Sequence, residues 1–509
     1  MILKDILLAA SSGILLVLAF PKFDLEILSW VALIPWLWSI KKKSPPQAAF
    51  LGFVAGFTFF AGLLYWIYNV LTEYGHLPGW VSIFLLVVLI SYLALYFSLF
   101  AFLLRWVVNK TDLPEIFFAP PLWVSLEFIR GFLLSGFPWE LLGYSQFQTL
   151  PMVQIADITG VYGVSFIILL SNVALYRLAL TFTDRDWKPA CKEILVPGII
   201  IALCGSYGLW KLSDLDQKAK PGSLYGVALI QGNIRQDVKW EPHFQEETLK
   251  IYSNLTLQVK LPRPDLVIWP ETATPFFFQN TSPLQGRILE LAHQVQAPLL
   301  FGAPAFDRRS SRIHYFNSAF LISPEKKILA RYDKIHLVPF GEYAPFSGIL
   351  GFTRDIIGAI GDFTSGQEIR NLSLPWGNFG VLICYEAIFP DLTRQFVDQG
   401  ARFLVNITND AWFGKTSAPY QHLSMVTLRA VENRVPIARA ANTGISALID
   451  SSGRVVRSTD LFTREVLFGR IDVSINKSST FYTQWGDLFS YCCLGITFLL
   501  CLFAYFKRG

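Results

Sequence analysis

Long apolar segments without charged residues fill the chain up to about residue 210 and return at its C-terminus. Segments 44–72 and 79–104, for example, contain no Asp, Glu, Lys or Arg. A helix of about 20 apolar residues crosses the hydrocarbon core of a bilayer. The pattern therefore predicts membrane-spanning helices. Eight candidates follow from it: residues 6–21, 27–40, 44–72, 79–104, 116–132, 153–180, 194–210 and 488–506.

Positive charge is concentrated in every second connection between these candidates. Residues 41–43 are all lysine, and Lys110 falls in another such connection, whereas 73–78 and 137–151 hold no Lys or Arg. Cytoplasmic loops of membrane proteins are enriched in Lys and Arg. With eight spans, the charge pattern places both chain ends in the cytoplasm and the long segment 223–480 outside it.

The segment 223–480 has the pattern of an α/β domain. Its apolar runs are short, rich in Val and Ile, and lack strict alternation, which suits strands buried on both faces. Helical patterns separate them at 284–295 and 422–433. An α/β layered fold follows. Strands are predicted at residues 224–230, 265–269, 299–302, 318–322, 379–384, 403–407 and 437–441.

These patterns divide the chain into a membrane domain of seven transmembrane helices at 1–212, an extracytoplasmic domain at 223–480, and a C-terminal transmembrane helix at 487–507. Composition agrees, because hydrophobic residues make up 53% of the chain and charged residues only 16%. A soluble protein carries about 25% charged residues. The net charge of +5, without a dense basic stripe, argues against nucleic acid as the main partner.

The positions of the cysteines give the first indication of a reactive group. Of six cysteines, Cys384 alone lies within 223–480, and the others lie in or beside the predicted spans. A domain outside the cytoplasm normally pairs its cysteines or avoids them. A single thiol there is either a buried, inert side chain or one kept for its reactivity. Cys384 ends the predicted strand 379–384, which is a frequent position for a nucleophile.

A thiol becomes an effective nucleophile when a base removes its proton and a nearby cation favours the thiolate. Glu271 and Lys334 are the candidates, since each lies at the end of another predicted strand. Each has an alternative reading, Glu271 as an acid at a helix N-terminus and Lys334 as a member of a surface ion pair. A catalytic role for the two residues is favoured by their joint occurrence with Cys384 and by their flanking sequences.

Three motifs resemble the signature blocks of the nitrilase superfamily: Trp269-Pro270-Glu271, Asp333-Lys334 followed by Pro339-Phe340-Gly341-Glu342, and Cys384-Tyr385-Glu386. Together with the predicted spans, they resemble the apolipoprotein N-acyltransferase family, whose members are embedded in the membrane. Motifs in both halves of the chain fit it, including Gly136-Phe137-Pro138-Trp139 and the segment 409–414. The resemblance implies a nitrilase-like α-β-β-α sandwich for 223–480.

The resemblance also implies a reaction. Such enzymes transfer an acyl chain from a membrane phospholipid to the N-terminal amine of the S-diacylglyceryl cysteine of apolipoproteins, the last step of bacterial lipoprotein maturation. On this chain Cys384 would form a thioester, Glu271 would act as the base, and Lys334 would stabilise the oxyanion. The implied partners are the phospholipid donor, the apolipoprotein acceptor and the lipid bilayer, without nucleic acid, metal or cofactor.

The resemblance further implies a multi-pass protein of the bacterial inner membrane, with a periplasmic catalytic domain and cytoplasmic termini. It assigns supporting or substrate-binding roles to Glu342, Tyr385, Glu386, Trp240 and Trp412. Glu342 is expected to orient Lys334, Glu386 to hold the nucleophile's turn, and the aromatic side chains to line an acyl channel. Structural salt bridges and ordinary core packing stay as alternatives for these residues.

Two other classes of function stay open at this point. A membrane-tethered amidase or nitrilase that hydrolyses a small amide would use the same three residues, although eight spans are more than a tether needs. A receptor or transporter with a non-catalytic α/β domain is the other, and the intact set of Glu271, Lys334 and Cys384 argues against it.

Overall fold

The chain forms an α-helical region, an α/β domain and a C-terminal helix in the computed structural model, which describes residues 3–184, 188–218, 224–236, 239, 241–259, 263–309, 312–343, 363–473 and 479–507. Among these residues, five helices are long and apolar enough to cross a membrane. They correspond to five of the eight predicted spans. Their bounds are Pro45–Leu64, Gly79–Thr111, Val161–Thr181, Ile194–Gln217 and Leu488–Phe506.

The other three candidates form shorter helices. Leu3–Ala19 has 17 residues and Glu115–Arg130 has 16. The candidate 27–40 is divided into Glu26–Trp30 and Ile34–Ile40. Pro35 stands in the first turn of the second piece, where its missing N–H costs nothing, whereas inside one continuous helix it would remove a hydrogen bond. The count of eight spans and the domain limits derived from it stay a prediction.

The strands of the α/β domain are β1 Leu224–Gln231, β2 Leu266–Ile268, β3 Leu299–Arg309, β4 Arg312–Ile322, β5 Ile328–Asp333, β6 Leu372–Leu374, β7 Gly377–Ile383, β8 Phe403–Thr408, β9 Ile437–Ala441, β10 Ala447–Ile449, β11 Val455–Ser458 and β12 Glu465–Asp472. In the part of the chain that the structure describes, these twelve strands form two six-stranded sheets, with the orders β12-β1-β2-β3-β4-β5 and β11-β10-β9-β8-β7-β6. Within them β1, β2 and β3 are parallel neighbours, and so are β7, β8 and β9.

The two sheets pack face to face, and helices cover their outer faces. Side chains such as Val227 and Val381 share the core between the sheets. Helices Pro242–Leu257 and Pro283–Val295 cover the first sheet through a second core. Because apolar side chains project from both faces of each sheet, both faces must be covered. The α-β-β-α sandwich expected from the resemblance is therefore confirmed.

One helix of the second sheet's outer layer also packs on the membrane region. This helix, Ala418–Asn433, is called the bridging helix below, and Tyr420 is the one residue in it that is not fully buried. Its residues Leu423, Val426 and Ala430 pack against the sheet core. The stripe Met425, Leu428 and Val431 joins the core of the membrane region instead. Two apolar stripes at helical spacing thus bury the helix between the domains.

Polar contacts fix the same junction. The Gln421 side-chain oxygen, on the bridging helix, accepts hydrogen bonds from the indole N–H groups of Trp66 at 3.1 Å and Trp139 at 2.9 Å. Its amide nitrogen donates to the carbonyl oxygens of Leu63 at 3.2 Å and Pro21 at 3.3 Å. Since buried polar groups cost free energy unless they are paired, this network specifies how the two domains meet.

Candidate active site

Cys384 lies where β7 ends and the chain turns into the 3₁₀ segment Cys384–Ile388. Its φ of +53° is in the left-handed region, which is strained for a residue with a Cβ. The Glu386 carboxylate supports this turn, accepting from Ile383 N at 2.7 Å on one oxygen and from Ile335 N at 2.7 Å on the other. Glu386 therefore ties the turn at Cys384 to the segment that follows β5, and the supporting role implied by the resemblance stays a prediction.

Glu271 reaches the site from the first sheet. It lies in the turn after β2, and the residue is 6% exposed. One carboxylate oxygen accepts from the Asn409 backbone N–H at 2.9 Å, and the other accepts from the Asn317 side-chain amide at 2.8 Å. These bonds hold the carboxylate in one orientation, because Asn409 follows β8 of the second sheet while Asn317 belongs to β4 of the first.

Lys334 directly follows β5 and is 1% exposed. Its ammonium lies 2.8 Å and 2.9 Å from the two oxygens of Glu342, and 3.8 Å from an oxygen of Glu271. The Asn317 amide also donates to Glu342 at 2.8 Å, so it connects both carboxylates. Glu342 therefore holds the Lys334 ammonium in place, and the orienting role implied by the resemblance stays a prediction.

Electrostatics decides the resting protonation of these groups. Burial acts to lower the pKa of Lys334, but Glu342 and Glu271 outweigh it and raise that pKa, so the side chain stays an ammonium. Burial and the charge of Glu271 raise the pKa of the Cys384 thiol, and Lys334 offsets this only in part. The thiol is therefore protonated at neutral pH, and a reaction at sulfur needs a group that accepts its proton.

A close backbone approach positions Glu271. A Cβ added to Gly302, on β3, would lie 2.4 Å from the backbone nitrogen of Thr272 and 2.6 Å from the Cα of Glu271. Neither atom belongs to a flexible side chain, so any other residue at position 302 would push the turn outward. Gly302 also donates its N–H to the Pro270 carbonyl at 3.1 Å. The turn that carries Glu271 therefore packs directly on the neighbouring strand.

Two of the predicted aromatic residues, Tyr385 and Trp412, contact the membrane region. The Tyr385 hydroxyl donates to the carbonyl of Gly136 at 3.2 Å, and the Trp412 ring lies 5.0 Å from that of Tyr74. Both contacts join the α/β domain to segments between membrane helices. Trp240 lies outside the described residues. The acyl-channel role of these side chains stays a prediction.

Two further polar residues of the site were not singled out from the sequence. Asn317 bridges the two carboxylates, and the Nζ atom of Lys239, a fully buried lysine, donates to the Glu271 carbonyl at 3.3 Å. Asn317 directly precedes the predicted strand 318–322. Its partners are distant in sequence, so no local signal revealed its role.

Comparison with known proteins agrees with this geometry. The model of the apolipoprotein N-acyltransferase N-terminal domain matches residues 12–174, and that of carbon-nitrogen hydrolase matches residues 226–477. The chain is 46% identical over 508 residues to the apolipoprotein N-acyltransferase of Geobacter metallireducens, covering 99% of this chain and 96% of the relative. The chain belongs to the apolipoprotein N-acyltransferase family. This membership confirms the family predicted from the motifs, and the protein is a membrane protein.

Another relative supports the same family assignment at lower identity. The apolipoprotein N-acyltransferase of Methylococcus capsulatus is 34% identical over 498 residues, which cover 95% of this chain and 93% of that protein. Among solved structures, an amidase from Nesterenkonia sp. is 18% identical with a TM-score of 0.40, covering 54% of this chain and 98% of that one. Nearly the whole chain therefore matches the N-acyltransferases.

The raised thiol pKa predicts how Cys384 reacts with a small alkylating reagent. Below its pKa the thiol is protonated, and the reactive thiolate fraction rises about tenfold per pH unit. Alkylation of Cys384 by iodoacetamide should therefore keep rising beyond pH 9, because the pKa lies above its ordinary value of 9.0. Glu271→Gln should move the curve to lower pH, and Lys334→Met should move it to higher pH.

Mass spectrometry of the Cys384 peptide against pH measures these curves. A short peptide with one cysteine is the control, and its alkylation should level off near pH 9. A plateau below pH 8 in the wild type would instead indicate a preformed thiolate beside Lys334, and it would contradict the electrostatic reading of the site.

Proposed function

We propose that this protein transfers an acyl chain from a membrane phospholipid to the N-terminal amine of the S-diacylglyceryl cysteine of an apolipoprotein. Membership in the apolipoprotein N-acyltransferase family supports this reaction. One observation supports the assignment of roles to residues. Glu271 and Lys334, from the first sheet, lie near Cys384, from the second, and the site is next to segments of the membrane region.

In the first half-reaction, Glu271 takes the proton of the Cys384 thiol as sulfur attacks the phospholipid ester carbonyl. Lys334 stabilises the negative oxygen of the tetrahedral intermediate, and one such donor is typically worth about 3–4 kcal/mol. The ester C–O bond then breaks, and the departing oxygen takes the proton from Glu271. The products are a thioester on Cys384 and a lysophospholipid.

In the second half-reaction, the acceptor amine attacks the thioester carbonyl. Glu271, ionised again, takes a proton from the amine, and Lys334 stabilises the second oxyanion. The C–S bond breaks, the sulfur is reprotonated through Glu271, and an amide is formed. Splitting the transfer into two steps lets one site accept two bulky lipid substrates in turn.

The proposed location follows from the charge pattern and the lipid substrates. The protein spans the bacterial inner membrane eight times, the catalytic domain at 223–480 is periplasmic, and both termini are cytoplasmic. Two features support this arrangement: five helices have the length and composition of spans, and the bridging helix is buried against the membrane region. The thiol then lies close to the outer surface of the bilayer that holds both substrates.

The transfer reaction can be tested with a labelled phospholipid and a synthetic diacylglyceryl peptide. Cys384→Ser should abolish formation of the N-acyl peptide, because a serine hydroxyl is a much weaker acid than a thiol. Lys334→Met should lower the rate by about two to three decades. Product formed by the serine variant at the wild-type rate would exclude the thioester, whereas hydrolysis of a small amide by the wild type without any transfer would favour an amidase.

The membrane arrangement predicts the result of reporter fusions. Alkaline phosphatase, which is active only outside the cytoplasm, should be inactive when fused after Lys42 or Lys188 and active when fused after Gly400. A fluorescent protein that folds only in the cytoplasm is the complementary control at the same positions. An inactive phosphatase after Gly400, with bright fluorescence there, would place the catalytic domain in the cytoplasm and contradict the arrangement.

A further inference from the structure

A second buried polar cluster contacts the backbone of the nucleophile. It consists of Asp410, after β8, His422, on the bridging helix, and Arg439, on β9, and none of the three is more than 1% exposed. The His422 Nε2 atom lies 3.2 Å from the carbonyl oxygen of Cys384, and its Nδ1 atom lies 3.2 Å from an oxygen of Asp410. The proposed mechanism uses none of these three side chains.

The partners of the cluster determine which way the imidazole hydrogen bonds run. One terminal nitrogen of Arg439 lies 2.6 Å from an oxygen of Asp410 and 3.2 Å from Nδ1 of His422. A backbone carbonyl can only accept, so the 3.2 Å contact with Cys384 requires a proton on Nε2. In a neutral ring Nδ1 then accepts from the Arg439 guanidinium, although it also lies beside an oxygen of Asp410. A doubly protonated ring would also carry a proton on Nε2. In both states, therefore, Nε2 donates to the Cys384 carbonyl.

The charges of the cluster agree with a neutral ring. The charge of Arg439 opposes burial, and the pKa of Asp410 is lowered to about 2, so this residue is an anion that balances the Arg439 cation. Burial and the charge of Arg439 lower the pKa of His422. A second buried cation would have no counter-ion within this cluster.

His422 also contacts the membrane region. Its ring lies 6.0 Å from that of Trp139, and Trp139 donates to Gln421, the neighbouring residue of the bridging helix. A continuous set of contacts thus runs from a membrane-region side chain, through His422, to the backbone carbonyl of Cys384. That carbonyl belongs to the residue whose left-handed φ of +53° turns the chain at the end of β7.

We propose that His422 is a positioning residue for this acyl transfer: its Nε2–H holds the Cys384 carbonyl, and so keeps the strained turn that presents the thiol to Glu271 and Lys334. Asp410 and Arg439 fix the ring, and Trp139 sets it relative to the membrane region. This role rests on the proposed thioester function, because it concerns the rate at which the thiol becomes acylated.

Three variants at position 422 separate this role from simple packing. His422→Gln keeps an N–H near the position of Nε2, His422→Asn keeps a polar group that is too short to reach the Cys384 carbonyl, and His422→Leu fills the space without a hydrogen bond. The measurement is the single-turnover rate of acyl-thioester formation on Cys384 from phospholipid in detergent micelles, at several phospholipid concentrations. Thermal midpoints of all variants are measured in the same detergent.

We expect Asn and Leu to lower the maximal rate by about 10- to 100-fold, since a displacement of about 1 Å at a reacting group has effects of that size. The phospholipid concentration at half-maximal rate should stay within about twofold, and Gln should recover most of the rate. Equal rates for Gln and Asn in folded protein would overturn the proposal, as would a change in that concentration alone. If the Leu variant does not fold, the Gln–Asn pair decides.

A second readout keeps the two proposals distinguishable. The pH dependence of Cys384 alkylation reports the position of the thiol relative to Glu271 and Lys334, without any phospholipid. The Asn variant should shift that curve by at least about half a pH unit, and the Gln variant should not. A wild-type protein that forms no thioester would contradict the proposed function, and the alkylation series would then decide on His422 alone.

Discussion

A buried ammonium group is the constraint on which the site depends. Lys334 is almost fully enclosed, and a cation in such a place is tolerated only when carboxylates surround it. Glu342 supplies the close contacts, Glu271 the longer one, and Asn317 holds both carboxylates by donating to each. The cluster places the ammonium proposed to stabilise the oxyanion and the carboxylate proposed to act as the base, while burial and the charge of Glu271 keep the Cys384 thiol protonated at rest.

The bridging helix gives this cluster its place relative to the membrane. It is buried on the sheet side by one apolar stripe and on the membrane side by another, so the second sheet cannot move independently of the helices beneath it. Gln421 adds polar bonds to four groups of the membrane region, and His422, next in sequence, reaches the nucleophile's carbonyl. The proposed active site is therefore connected by direct contacts to the membrane region, the side from which the proposed lipid substrates would arrive.

Local patterns predicted part of this structure well. The strand 437–441 agrees to the residue with β9. Short strands such as β10, with three residues, carried too little pattern to be recognised. The strand predicted to end at Cys384 ends one residue earlier, at Ile383. Cys384 begins a 3₁₀ segment, in which Glu386 accepts a hydrogen bond from the backbone of Ile383. Roles that depend on contacts distant in sequence, such as that of Asn317, were not readable from any local pattern.

The central claim is that Cys384 becomes covalently acylated by a phospholipid. Intact-mass and peptide mass spectrometry of the purified wild-type protein, after incubation with a phospholipid of defined chain length, tests it most directly. The account predicts one added acyl mass on the Cys384 peptide, released by neutral hydroxylamine as a thioester should be, and absent from Glu271→Gln. Transfer of the acyl chain to an acceptor peptide by a protein in which Cys384 never gains this mass would contradict it.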